Sequence, residues 1–186
     1  MTEQKEGRMK GVITVDIGTT SMRAVLYDAD SHMVHMDQQE NAPDYFSDGR
    51  VEQDASAWQT ILPRVLKSCA DAARNIRLEP ACISVTAQRS SVIPIDRDGN
   101  PLHSAVMWQD RRTADLAQAM GGYDSLVYRT SGLKISPVFS AVKMAWFRRN
   151  RPDIWNRTHK MIGIQDWTLY LLTGRLGYVG PLDAWL

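Results

Sequence analysis

The residues best suited to chemistry lie close together near the start of the chain: Asp16, Gly18, Thr19, Thr20, Ser21 and Arg23. Apolar and branched residues flank them on both sides, which predicts a strand over 12–17, a tight turn, and a second strand over 21–27. Such a turn offers what a phosphate needs. Gly18 lets the backbone approach closely, successive N–H groups can converge on oxygen, and three hydroxyls stand beside them. Arg23 adds a permanent cation with fork geometry. Asp16, at the strand end, can hold Mg²⁺ directly or through water. The same stretch also reads as an ordinary hairpin whose turn is rich in Thr and Ser, because short glycine-containing motifs are common.

Two further clusters carry polar groups next to predicted strands. Gln88, Arg89 and Ser90 follow an apolar strand over 82–87, read as buried, and polar residues just past a central strand are where α/β folds place ligands. Arg89 either forks onto hydroxyls or phosphate, or caps the sheet edge by pairing with an Asp. Trp108 ends a strand over 102–108, with Asp110 or Thr113 able to cap the helix after it. A Trp there either floors the apolar face of a sugar or fills a core, and most of the six Trp residues must be structural.

The elements that position these clusters follow from pattern. A third strand near 32–40 completes a meander, and residues 41–53 read as a surface loop. Asp54 is a plausible N-cap for a long amphipathic helix carrying Trp58, Ile61, Leu62, Val65, Leu66, Cys69, Ala72, Ala73 and Ile76 on one stripe. Pro63 should kink that helix or mark its start. A strand over 91–95 leads into the hairpin turn Asp96-Arg97-Asp98-Gly99-Asn100. Helices are expected at about 111–120, 123–130, 138–149 and 165–173. Strands, a long helix, more strands and then helices make an α/β or α+β fold with a mixed sheet.

The whole chain bounds the function. It has 186 residues, 44% of them hydrophobic, enough for a full core. Net charge is +1, from 22 basic and 21 acidic residues, which gives no electrostatic case for nucleic acid or an anionic membrane. No apolar run is long enough to span a bilayer. Residues 1–10 are polar and read as a flexible tail without a signal peptide. Cys69 and Cys82 lack metal-site spacing and read as reduced core thiols of a cytoplasmic protein.

Four runs in order, DIGTTSMRAVLYD, TAQRS, AVMWQDRRTA and TSGLKISPVFSAVKMAW, resemble the FGGY family of carbohydrate kinases, whose members include glycerol and xylulose kinases. The likeness covers nearly all of residues 11–176. It implies an α/β, actin-like, ribonuclease H-type domain with a mixed sheet and flanking helices. It also implies ATP- and Mg²⁺-dependent phosphorylation of a sugar or polyol hydroxyl. By that resemblance Gly18, Thr19, Thr20, Ser21 and Arg23 contact nucleotide phosphate, Asp16 serves the metal, and Gln88, Arg89, Ser90 and Trp108 line the substrate pocket. Two positions depart from glycerol kinases: Ser90 stands where they have Glu, and Val138 follows Ser136-Pro137 where they have Tyr after Asp-Pro. Xylulose kinases carry Met-His in place of Arg89-Ser90, so the acceptor is not determined.

The family's general base is an Asp in a later part of the chain, at the junction with a second domain that carries most of the adenine site. Residues 11–186 are therefore expected to be the substrate-binding N-terminal domain, truncated at its C-terminal end and without that ATP-binding domain. After Thr173-Gly174-Arg175-Leu176 the sequence also leaves the family pattern, and Asp183 is not in the base's context. The isolated chain is expected to be inactive, with a non-catalytic sugar-binding or interaction module as the alternative. A homodimer through an uncovered apolar face is also expected.

Overall fold

The computed structural model describes residues 9–176. The expectations for most of the N-terminal tail, and for the divergent ending that holds Asp183, lie outside the described residues. The chain forms two compact units. Among the described residues, the first contains those up to 41 and 59–87, and the second contains 42–58 and those from 88 onward.

The first unit is a four-stranded mixed sheet with one long helix. β1 (Met9–Ile17) pairs antiparallel with β2 (Ser21–Asp28), which pairs antiparallel with β3 (Met33–Glu40). On its other side β1 pairs parallel with β6 (Leu78–Ala87), giving the order β3-β2-β1-β6. Alternate residues Ile13, Val15 and Ile17 of β1 are buried, as a half-covered strand requires. Gly11 sits at a register shift between β1 and β6, where a Cβ would collide with the Leu78 side chain and the Tyr27 carbonyl. The helix α1 (Ala57–Asn75) buries Leu62, Val65, Cys69 and Ala73 at helical spacing. Its Ser68 hydroxyl lies 2.8 Å from His35 Nε2 on β3.

Several expectations for this unit need correction. β1 begins at Met9, inside the stretch read as a tail. The strand read as buried over 82–87 is longer and largely exposed, because β6 is the sheet edge and pairs on one side only among the described residues. Cys82 is therefore exposed rather than a core thiol, whereas Cys69 is buried. Ile76 is also exposed, lying past the last turn of α1. The helix runs through Pro63, which does not mark its start.

The second unit is built from short strands and helices. β4 (Asp44–Tyr45) and β5 (Val51–Gln53) lie within the stretch expected to be a loop, and β5 pairs with β8 (Ala105–Val106). Their runs are too short for periodicity to reveal. β7 (Ile93–Ile95) pairs with β9 (Lys160–Ile162), a strand without a sequence signal of its own. The strand expected over 102–108 reduces to β8 and an isolated bridge between Val92 and Val106. The Asp-Gly turn forms as read: Gly99 has φ 83°, and the Asp96 carboxylate accepts from the Asp98 and Asn100 backbone N–H groups.

The helices are α2 (Ala114–Ala119), α3 (Asp124–Ser131), α4 (Ser140–Asn150), the single turn α5 (Pro152–Trp155) and α6 (Ile164–Thr173). Thr113 is the N-cap of α2 but makes no capping bond with its side chain. Asp54 stands before α1: its carboxylate accepts from the Ser56 N–H, and its carbonyl accepts from the N–H of Ala57, the first helical residue, at 3.2 Å. Val92, Val106, Phe147 and Ile154 form a buried cluster.

Candidate functional site

The first unit holds the turn between β1 and β2. Register places Asp16 opposite Arg23, and the Gly18 N–H donates to the Ser21 carbonyl at 2.9 Å to close the turn. The Thr20 carbonyl accepts from the Asn41 N–H, which ties the turn to the chain beyond β3. Asp16 Oδ2 accepts from Arg23 Nη2 at 2.6 Å and Nε at 3.1 Å. Asp16 Oδ1 makes no hydrogen bond among the described residues, and the two side chains are 39% and 48% exposed. The donor set fits a hard cation: one carboxylate oxygen reaches solvent, held steady by a bond to its twin. Gly18 keeps a negative φ, so close approach rather than a left-handed backbone is what glycine supplies there.

The second unit holds a cleft of about 820 Å³. Gln88, Arg89, Ser90 and Ser91 form its polar edge. Leu126 and Val127 of α3, Ile135 and Phe139 of the following loop, and Met161 and Ile162 of β9 supply apolar lining. Ser90 adopts φ 64°, a left-handed conformation that costs a non-glycine residue about 1 kcal/mol or more and concentrates at functional sites. Gln88 Nε2 donates to the buried Gln53 Oε1 at 3.4 Å. Arg89 is exposed on the cleft and makes no ion pair among the described residues, so the sheet-capping alternative is not what this structure adopts.

Trp108 is not brought into the lining of that cleft. It is 40% exposed, so it is not a core tryptophan, and its backbone N–H donates to the Ser91 hydroxyl at 3.1 Å. Its neighbour Gln109 donates from Nε2 to the Tyr45 hydroxyl at 3.2 Å.

Asp110, read as a helix cap, does something else. It is wholly buried and accepts from the Val51 N–H at 2.7 Å and from Arg112 Nη2 at 2.8 Å. Arg112 also donates to Glu52 Oε1 at 2.6 Å and stacks its guanidinium 5.0 Å from the Trp146 ring centre. Desolvation, the largest single influence, pulls the Arg112 pKa down, but the hydrogen bonds and charges of the two carboxylates together hold it above its usual value. Arg112 and Asp110 thus join the start of β5 to the segment after β8 by a buried charge pair.

Lys143 on α4 carries no sequence signal beyond its place in the TSGLKISPVFSAVKMAW run. It is 1% exposed, and burial pushes its amine down to about 8. Its Nζ donates to the Pro137 carbonyl at 2.9 Å and to the Val138 carbonyl.

The model of the FGGY family of carbohydrate kinases, N-terminal domain, matches residues 11–179. The chain belongs to the FGGY family. The chain is 35% identical over 184 residues to a glycerol kinase of Alcanivorax borkumensis, covering 96% of this chain and 34% of that protein. Among solved structures, glycerol kinase of Plasmodium falciparum with ADP superposes at a TM-score of 0.85 and 25% identity, covering 92% of this chain and 36% of that one. Gluconate kinase of Lactobacillus acidophilus superposes at 0.83 and 25% identity, over 90% and 34%. The chain therefore spans about a third of the length of these relatives. The fold expectation holds: this is the actin-like α/β architecture of the FGGY kinases, with a mixed sheet.

Proposed function

We propose that this chain is the acceptor-binding part of an ATP- and Mg²⁺-dependent kinase that phosphorylates a hydroxyl of a sugar or polyol. The observation that carries the reading is the cleft edged by Gln88, Arg89 and Ser90, with its strained backbone at Ser90. These side chains supply donors and acceptors for a hydroxylated ligand, and Trp108, two residues past β8 and outside the cleft lining, offers a half-exposed flat ring. The names of the relatives, glycerol kinase and gluconate kinase, support a hydroxyl acceptor.

Gly18, Thr19, Thr20, Ser21 and Arg23 hold the nucleotide phosphates, and Asp16 serves Mg²⁺. The metal, when bound, offsets charge developing on the transferred phosphoryl group. Arg23 contributes cationic fork donors, and Asp16 keeps Arg23 aimed while it presents Oδ1. No residue of this chain is assigned as the general base. The isolated chain consequently binds acceptor without turning it over. ATP use places it in the cytoplasm, where its unpaired Cys69 and Cys82 stay reduced. Two copies associate through an uncovered apolar face of the domain.

A thermal-shift panel of glycerol, xylitol, xylulose and gluconate, with and without Mg-ATP, tests the reading. A ligand at 100 times its dissociation constant adds about 2.7 kcal/mol of stability. A rise with one polyol supports an acceptor site within this chain. A rise with a sugar that Mg-ATP leaves unchanged favours a binding module. No rise with any acceptor overturns the reading.

A further inference from the structure

Residues 133–139 connect α3 to α4 without regular structure, and five of them, Leu133, Lys134, Ile135, Ser136 and Phe139, line the cleft. A wall built from loop needs outside support for its backbone polar groups. At one end the Ile135 N–H donates to Asp124 Oδ1 at 2.9 Å. At the other end the support is Lys143. Its Nζ donates to both the Pro137 and Val138 carbonyls, and the buried Thr113 hydroxyl adds a bond to the Pro137 carbonyl at 3.3 Å.

A lysine is a costly residue for that position. Its amine is removed from water, and it sits in the first turn of α4, where the helix dipole opposes a cation. No carboxylate lies within ion-pair distance of it among the described residues. A buried apolar side chain would pack there without these costs, but it could not bind two successive carbonyls. What the amine supplies is a rigid anchor for the loop.

We propose that Lys143 is a positioning residue: by binding the Pro137 and Val138 carbonyls it holds the 133–139 wall in the shape that receives the acceptor. This rests on the proposed acceptor site, so the test has one arm that needs no ligand. In that arm, amide hydrogen exchange is followed by mass spectrometry on the whole chain as wild type, Lys143→Met, Lys143→Arg and Thr113→Val. Loss of two charge-assisted bonds should speed exchange across 133–139 by about tenfold or more in Lys143→Met. The β1 and β2 amides should be unaffected, and Lys143→Arg, which keeps a cationic donor, should restore part of the protection. Thr113→Val removes one bond to the same Pro137 carbonyl and should loosen the same segment less. It keeps the proposal testable should Lys143→Met fail to fold.

The second arm measures the affinity of glycerol, xylitol and gluconate by calorimetry. Whichever of them binds wild type should bind Lys143→Met at least about tenfold more weakly, with Lys143→Arg between the two. If 133–139 exchanges at the wild-type rate in both Lys143→Met and Thr113→Val, the anchoring role is wrong. Looser exchange with unchanged acceptor affinity shows a purely structural lysine and also overturns the proposal. If wild type binds none of the three probes, the acceptor reading fails, and the exchange arm still decides whether Lys143 anchors the loop.

Discussion

Asp16 and Arg23 face each other across the β1–β2 hairpin, and a single carboxylate oxygen, Asp16 Oδ2, accepts both the Nε and Nη2 bonds of Arg23. The second carboxylate oxygen makes no hydrogen bond among the described residues. The pair is half exposed, so its own contribution to stability is small, about 0–1 kcal/mol. Asp16→Asn and Arg23→Ala should leave the ligand-free melting midpoint nearly unchanged and abolish the rise that Mg-ATP is expected to produce in wild type. Full retention of that rise in both variants would show that the turn handles no phosphate.

Asp110 predicts a large stability effect of a different kind. Its removal orphans the buried Val51 N–H and leaves the Arg112 cation with Glu52 alone. Breaking a buried pair from one side costs about 3–5 kcal/mol. Urea unfolding of Asp110→Ala should show a loss of that order. Removing the exposed partner of Arg151 by Asp153→Ala should leave the urea midpoint where it was. Equal effects from the two substitutions would contradict the buried geometry.

The two thiols should separate cleanly. Cys82 lies exposed on the edge strand β6, whereas Cys69 is buried in α1 and burial raises its pKa. Ellman's reagent should titrate one thiol quickly in the native chain and the second only after unfolding. Cys82→Ser should abolish the fast phase. Two fast thiols would mean that α1 does not cover Cys69.

Lys143 sets a pH dependence. Burial, the largest influence, lowers its amine from 10.5 to about 8, with Asp110 favouring the charge and Arg112 opposing it. In the unfolded chain the amine keeps its proton to higher pH. Between about pH 8 and 10.5 the unfolded state therefore binds more protons, and stability rises with pH across that window, by about 3 kcal/mol in full. Below pH 8 both states are protonated and the slope vanishes. The neutral amine still donates N–H bonds to the Pro137 and Val138 carbonyls, so the anchor persists. Urea titrations of wild type and Lys143→Met at pH 7 and pH 9.5 should diverge in slope, and parallel curves would rule out the buried charge.

Much of the fold was legible because its signals are local. The strand-turn-strand of residues 12–27, the Asp-Gly turn at 98–99 and the amphipathic stripe of α1 each depend on residues a few positions apart. The expected helices at 123–130, 138–149 and 165–173 appear within a residue or two of α3, α4 and α6. The short strands β4, β5 and β9 were not legible, since two or three residues carry no period, and β5 and β9 also pair with distant segments. The buried reading of β6 failed for a related reason. Apolar composition says that a strand could be covered, but whether a neighbour covers it depends on sheet order.

By itself the sequence determined the family, the tight turn between β1 and β2, and the polar residues that follow β6, because motif order and turn chemistry are properties of neighbouring residues. Only the tertiary structure decided which of these share a site. It put Arg89 and Ser90 on a cleft, left Trp108 outside its lining, turned Asp110 from a helix cap into a buried partner of Arg112, and gave Lys143 two carbonyls to hold. Arg112 lies two positions from Asp110, and Lys143 six and five from its two carbonyls, but their burial depends on segments far away in the chain, as in the Asp110 bond to the Val51 N–H. Burial and partner choice arise only when packing brings such residues together, and no spacing in the sequence encodes that.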